Sequence, residues 1–193
     1  MLLEVICYSL SGFFMKLSDE GFDKVDDKFF AIITGLLCVL FTVLISHYSG
    51  DAACIFLSIL VSNVLAFKVD CVNHILSAIL LIILFYFIGV PTFSWLALLL
   101  CVVAGVIDEW GNDKSDKNEW GVGGFGSFLK VFFRYRCMLK VFVLLLSVLG
   151  LLHYLFAWSF IVYFEPLTVV YLCLFDVFYE FAGLVFDRVY DIL

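Results

Sequence analysis

The sequence predicts an all-α fold: a polytopic integral membrane helical bundle of about six transmembrane helices, preceded by a short N-terminal interfacial or re-entrant helix. Three observations carry that reading. Of 193 residues, 65% are hydrophobic and only 15% charged, with a mean hydropathy of +1.14, far from the mixture of a water-soluble domain. Apolar runs recur along the whole length with no polar block of domain size, which predicts a single membrane domain over residues 1–193. Lys and Arg are confined to alternate connections between those runs, the distribution that membrane insertion imposes.

Residues 1–15 are apolar but short for a span, which favours an interfacial or re-entrant helix. Glu4, the lack of a basic leader and the lack of a small-residue cleavage site argue against a removed signal peptide. Residues 16–28 read as an interfacial loop in which Ser18 or Asp19 caps a short helix. Residues 29–46 contain no charge and are long enough to span. A polar turn at residues 47–51 separates them from a second run, 52–67, which ends at Lys68-Val69-Asp70. The third run is 75–90. Pro91 turns the chain because it lacks a backbone donor and restrains the preceding residue.

The fourth run, 93–107, opens into the longest polar interval, an acidic and glycine-rich loop over residues 108–138. Residues 139–164 are the longest apolar stretch. Glu165-Pro166 turns the chain into the last run, 167–186. Lys16, Lys24, Lys28, Lys68, the group from Lys114 to Lys140 and Arg188 all fall on one side of a six-span topology, whereas the turns at 47–51, 89–92 and 165–166 contain no Lys or Arg. The expectation is a cell-membrane protein with its basic loops and C-terminus cytoplasmic.

Net charge is −7, and the only basic cluster is the short one from Lys130 to Lys140, so nucleic acid is not an expected partner; membrane lipids are. The seven cysteines are scattered singly without CxxC spacing and read as small core residues. No GxSxG or HExxH pattern supports nucleophilic or zincin-type hydrolysis.

Polar residues with chemical potential gather on the cytoplasmic side of this topology. Asp70 and His74 are four apart, a spacing that places both on one helical face within reach of one cation. Asp108 and Asp113, or Glu109 and Asp113, are spaced for one face if the helix continues through Trp110, although Gly111 and Asn112 argue against continuation. Paired carboxylates of this kind hold Mg²⁺ or Mn²⁺ against phosphate oxygens. The glycines from Gly121 to Gly126 match no phosphate-binding fingerprint and read as a hinge. Lys130, Arg134 and Arg136 alternate with aromatics and suit a lipid phosphate. In the last run Asp176, Glu180, Asp187 and Asp191 form one helical stripe, and Asp176 lies far from either end, where a carboxylate requires a partner, an ion or a proton. His153 is a candidate partner for Asp176.

The resulting expectation is an acidic divalent-metal site at the cytoplasmic membrane face that acts on a lipid or isoprenoid phosphate. Asp70, His74, Asp108 and Glu109 are its catalytic candidates, and Asp70, His74, Asp108, Asp113, Asp176 and Glu180 its metal ligands. Lys130, Arg134 and Arg136 bind the substrate. Mg²⁺ or Mn²⁺ is the expected cofactor, with Zn²⁺ the second choice. The alternatives are a cation- or proton-coupled transporter using the stripe from Asp176 to Asp191, and a membrane assembly subunit without chemistry. The acidic stretch from Asp108 to Asp113 is similar to the acidic motifs of membrane prenyltransferases, but it lacks their full spacing and a second motif, so no function is carried over from it.

Overall fold

The computed structural model describes residues 1–121 and 123–190. Among them are eight helices: α1 (Leu2–Asp23), α2 (Lys28–Tyr48), α3 (Gly50–Leu65), α4 (Val72–Ile88), α5 (Trp95–Asp116), α6 (Gly124–Arg134), α7 (Cys137–Phe156) and α8 (Thr168–Tyr190). Four of them, α2, α5, α7 and α8, are long and apolar enough to cross a membrane; α3 and α4 are apolar but shorter. Contacts divide the chain into two units. The first comprises residues 1–53, 69–92 and 170–193, and the second residues 54–68 and 93–169.

In the first unit α1 packs along α2, and α2 along α4. The interfaces are built from small and hydroxyl-bearing residues. A Cβ added at Gly12 would lie 2.1 Å from the carbonyl oxygen of Phe175, so α1 and α8 touch backbone to side where only glycine fits. Gly35 of α2 likewise admits the hydroxyls of Ser77 and Ser18. Thr42 donates to Ser11 at 3.2 Å, and Ser18 donates to the carbonyl of Ala31 at 2.8 Å. Such hydrogen bonds satisfy hydroxyls that are buried away from water.

The segment at 16–28 differs from the expected loop. α1 continues through Lys16, Asp19 and Glu20 to Asp23, and neither Ser18 nor Asp19 is a cap. The physical reason is local: buried Glu20 receives Lys16 and Lys24, each at 2.8 Å and each one helical turn away. The cap belongs instead to Asp27, whose side chain accepts from the Phe30 amide at 3.0 Å and starts α2.

In the second unit α5 packs against both α6 and α7. α5 also outruns its expected end at residue 107 and stays helical through Gly111 and Asn112 to Asp116. Gly111 is there for packing: a Cβ would meet the Phe133 ring at 2.2 Å, and that ring stacks on Trp120 with centroids 5.0 Å apart. The expected loop at 108–138 therefore contains the end of α5, all of α6 and the start of α7. The long apolar stretch after it is helical only to Phe156. The chain then folds back, with the Phe164 amide donating to the Leu146 carbonyl at 3.1 Å over Gly150, where a Cβ would lie 1.8 Å from the Phe164 oxygen.

Hydroxyl-bearing residues and glycines are buried in the helices while many large aliphatics are exposed. On α7, Ser147 and Gly150 are buried, while Leu144, Leu145, Val148 and Leu151 are exposed. On α2, Thr34, Gly35, Thr42 and Ser46 are buried, while Ile33, Leu40 and Leu44 are exposed. The buried positions also include Leu139, Val143 and Leu146 on α7 and Val39, Val43 and Ile45 on α2, so small polar groups share the interior with aliphatic ones.

Candidate metal centre

Asp70, Cys71 and His74 meet at the start of α4. Cys71 is the N-cap residue in an extended conformation (φ −91°, ψ 153°), so Asp70 precedes the helix and does not lie on it, in contrast to the shared helical face expected for Asp70 and His74. The bend at Cys71 folds Asp70 back toward the first turn. One ligand atom from each of the three residues lies within 4.8 Å of the other two. Asp70 is exposed, and Cys71 and His74 are half-buried, an arrangement with one side toward solvent.

His74 is held in place by two other helices. Its Nε2 lies 3.0 Å from Oδ1 of Asp19 on α1, and Oδ2 of Asp19 accepts from the Tyr179 hydroxyl on α8 at 2.8 Å. The donor and acceptor roles of the ring nitrogens follow the tautomer, and a proton on Nε2 toward Asp19 would put the lone pair on Nδ1. A carboxylate that holds one imidazole nitrogen so that the other can ligate is the usual outer arrangement around a metal-bound histidine. The α4 start is pinned as well: Asn73, almost fully buried, donates to the Ser18 hydroxyl at 2.9 Å. Burial pushes the Cys71 thiol up to about 11, reinforced by its hydrogen bond with Asp70 and the charges of Asp70, Asp23 and Asp19.

A second polar network lies alongside. Lys24 reaches Asp187 of α8 at 2.5 Å in addition to Glu20, and these two carboxylates, Asp187 first, raise its pKa. Lys16 sits 5.0 Å above the Tyr179 ring. Of the carboxylate stripe on α8, Asp187 thus engages Lys24, Asp176 is half-buried, Glu180 is exposed, and Asp191 lies outside the described residues.

The acidic residues of the second unit have other partners. Asp108 is 1% exposed, and its two oxygens accept the amides of Met138 at 2.9 Å and Leu139 at 2.7 Å, which caps α7 from α5. Buried Glu109 receives Arg136, Nε at 2.7 Å and Nη2 at 3.4 Å, and Arg136 itself adopts the left-handed conformation (φ 46°) at the α6–α7 turn. Asp113 pairs with Lys68. Lys130 donates to Asn118, and Arg134 is exposed at the end of α6. His153 has Nδ1 2.6 Å from the Trp158 carbonyl and stacks on Tyr163.

Among the described residues, then, the one group of three potential ligands is Asp70, Cys71 and His74. Two expected ligands are in it, and Asp108, Asp113, Asp176 and Glu180 are not. Cys71 was absent from the sequence expectation although its signal is local: Cys71-Val72-Asn73-His74 places a thiol and an imidazole three apart beside a carboxylate. Asp19 and Tyr179 have no local signal at all. No family model, curated protein or solved structure matches this chain.

Proposed function

We propose that this chain is a multi-pass membrane protein that binds a divalent metal ion through Asp70, Cys71 and His74 and uses it on a phosphate-bearing lipid. The observation that carries the reading is the convergence of the three ligand atoms beside a histidine already oriented by Asp19. The donor set changes the preferred metal. A thiolate and an imidazole suit Zn²⁺, which is borderline soft, better than Mg²⁺ or Mn²⁺, which demand oxygen ligands. The positive end of the α4 dipole at Cys71 opposes a cation, so the two negative charges of Asp70 and a deprotonated Cys71 are both needed there.

Three protein ligands leave one tetrahedral position for water, whose pKa a zinc ion brings to about 7. Held by Asp70, Cys71 and His74, the ion would supply an activated water for hydrolysis of a phosphate ester. The many exposed aliphatics and the buried hydroxyls of α2 and α7 support membrane insertion. With the apolar helices α2, α3, α4, α5, α7 and α8 taken as six crossings, the positive-inside rule assigns Lys68 and the neighbouring Asp70 to the cytoplasmic side, and the four long helices among them support that reading. Metal analysis of the purified protein tests the reading. About one zinc per chain is expected, falling in Cys71→Ser and Asp70→Asn. A protein that takes up no stoichiometric metal from zinc-containing buffer, or that loses none in those variants, does not have this function.

A further inference from the structure

α6 carries three faces. Phe133 is its anchor, buried against α5. Phe125, Phe128 and Val131 are 75%, 59% and 55% exposed, and at about 100° per residue they fall within one sector of the helix. Lys130 and Arg134 lie away from that sector, both exposed. A helix so divided has no reason to leave its aromatic side in water.

The chain path restricts what can cover it. α6 follows α5 after residues 117–123 and is joined to α7 by Tyr135 and Arg136 alone. If α5 and α7 both cross the bilayer, as the proposed function requires, α6 is held at the surface where they emerge. Trp110 is exposed near the end of α5 with the Lys114 ammonium 4.2 Å from its ring, the aromatic and cationic pairing found at headgroup level. Charge complementarity completes the match: Lys130 has the neutral Asn118 as its hydrogen-bond acceptor and Arg134 is exposed, so neither charge is neutralised by a carboxylate among the described residues.

We infer that α6 is an interfacial helix that seats Phe125, Phe128 and Val131 among the acyl chains of the same bilayer and holds anionic headgroup phosphates with Lys130 and Arg134. It binds lipid independently of the metal site.

The test uses the full chain in vesicles of phosphatidylcholine, with or without phosphatidylglycerol, carrying a genetically encoded fluorescent amino acid at one position. Nitroxide-labelled lipids quench from the bilayer and iodide quenches from water. Position 128 is expected to be quenched by the lipid label and shielded from iodide, and position 127 the reverse. Preference for labelled phosphatidylglycerol over phosphatidylcholine should fall about fivefold for each charge removed in Lys130→Gln and Arg134→Gln. Positions 99 and 145, exposed on α5 and α7, report whether those helices span. If they are quenched by the lipid label while 128 is open to iodide, or shielded from both reagents by a protein partner, the inference about α6 is wrong and the membrane topology stands. If they too are open to iodide, the topology itself is wrong.

Discussion

The hydroxyl of Tyr179 donates to Asp19 at 2.8 Å, and the other oxygen of Asp19 faces His74 Nε2 at 3.0 Å. A residue of α8 is thereby linked to a histidine on α4 through a carboxylate of α1. Outer hydrogen bonds of this kind contribute to metal affinity because they set both the direction and the basicity of the ligating nitrogen.

Asp19→Asn and Tyr179→Phe should each weaken zinc binding, by roughly 10- to 100-fold, without removing a ligand. Asp19→Asn has the larger effect, since it removes the charge that stabilises a polarised imidazole. Competition with a chromophoric chelator measures it. Unchanged affinity in both variants would mean that the chain of hydrogen bonds only ties helices together.

Cys71 should be a slow thiol. With its pKa pushed to about 11, only roughly one thiol in a thousand is ionised at pH 8, and the thiolate is the reactive form. Asp70→Asn removes the negative charge and leaves only a weaker neutral acceptor to hold the proton, so the pKa falls and alkylation at pH 8 accelerates. Mass-spectrometric quantification of iodoacetamide adducts at Cys71 before and after the substitution checks the direction.

Asp108→Ala should destabilise the protein and leave its zinc content intact. The substitution strips two buried amides of their acceptor, a loss of about 1–3 kcal/mol, which appears as a lower unfolding temperature in detergent. A fall in metal content at unchanged stability would instead make Asp108 part of the metal centre.

The tether of Lys24 to Asp187 and Glu20 should be alkali-sensitive. Its pKa is raised in the folded protein, so its stabilisation is complete below the ordinary lysine value and is lost as pH rises through the higher folded one. Thermal stability relative to Lys24→Gln should therefore be constant from pH 7 to about 10 and converge above it. A difference that persists at higher pH would show that the ammonium is not what matters at this position.

The apolar runs were legible because hydropathy is a local property, and α2, α3 and α4 lie close to where the runs are. The polar ends of α1 and α5 were not read as helix, since charges and Gly111 there resemble a loop until their partners are known. In α1 those partners, Lys16, Glu20 and Lys24, are themselves one turn apart and leave a pattern. In α5 they are not: Phe133 explains Gly111 only through contact. The metal group divides the same way. Asp70, Cys71 and His74 are neighbours in sequence, whereas His74 and Asp19 are 55 residues apart and Asp19 and Tyr179 160. Asp108 shows the converse difficulty, because a carboxylate that caps another helix has the same spacing as one that ligates a metal.

The Asp108 cap also bears on biogenesis. The carboxylate is made 30 and 31 residues before the two amides it accepts, so α5 emerges from the ribosome with an acidic group near one end and no counterpart for it. A bare carboxylate is expensive in hydrocarbon, and the unmet amides at the head of α7 are too. Each defect cancels the other only when both segments are present, so if both span, α5 and α7 settle into the bilayer as a pair and α6 stays at the surface where they emerge.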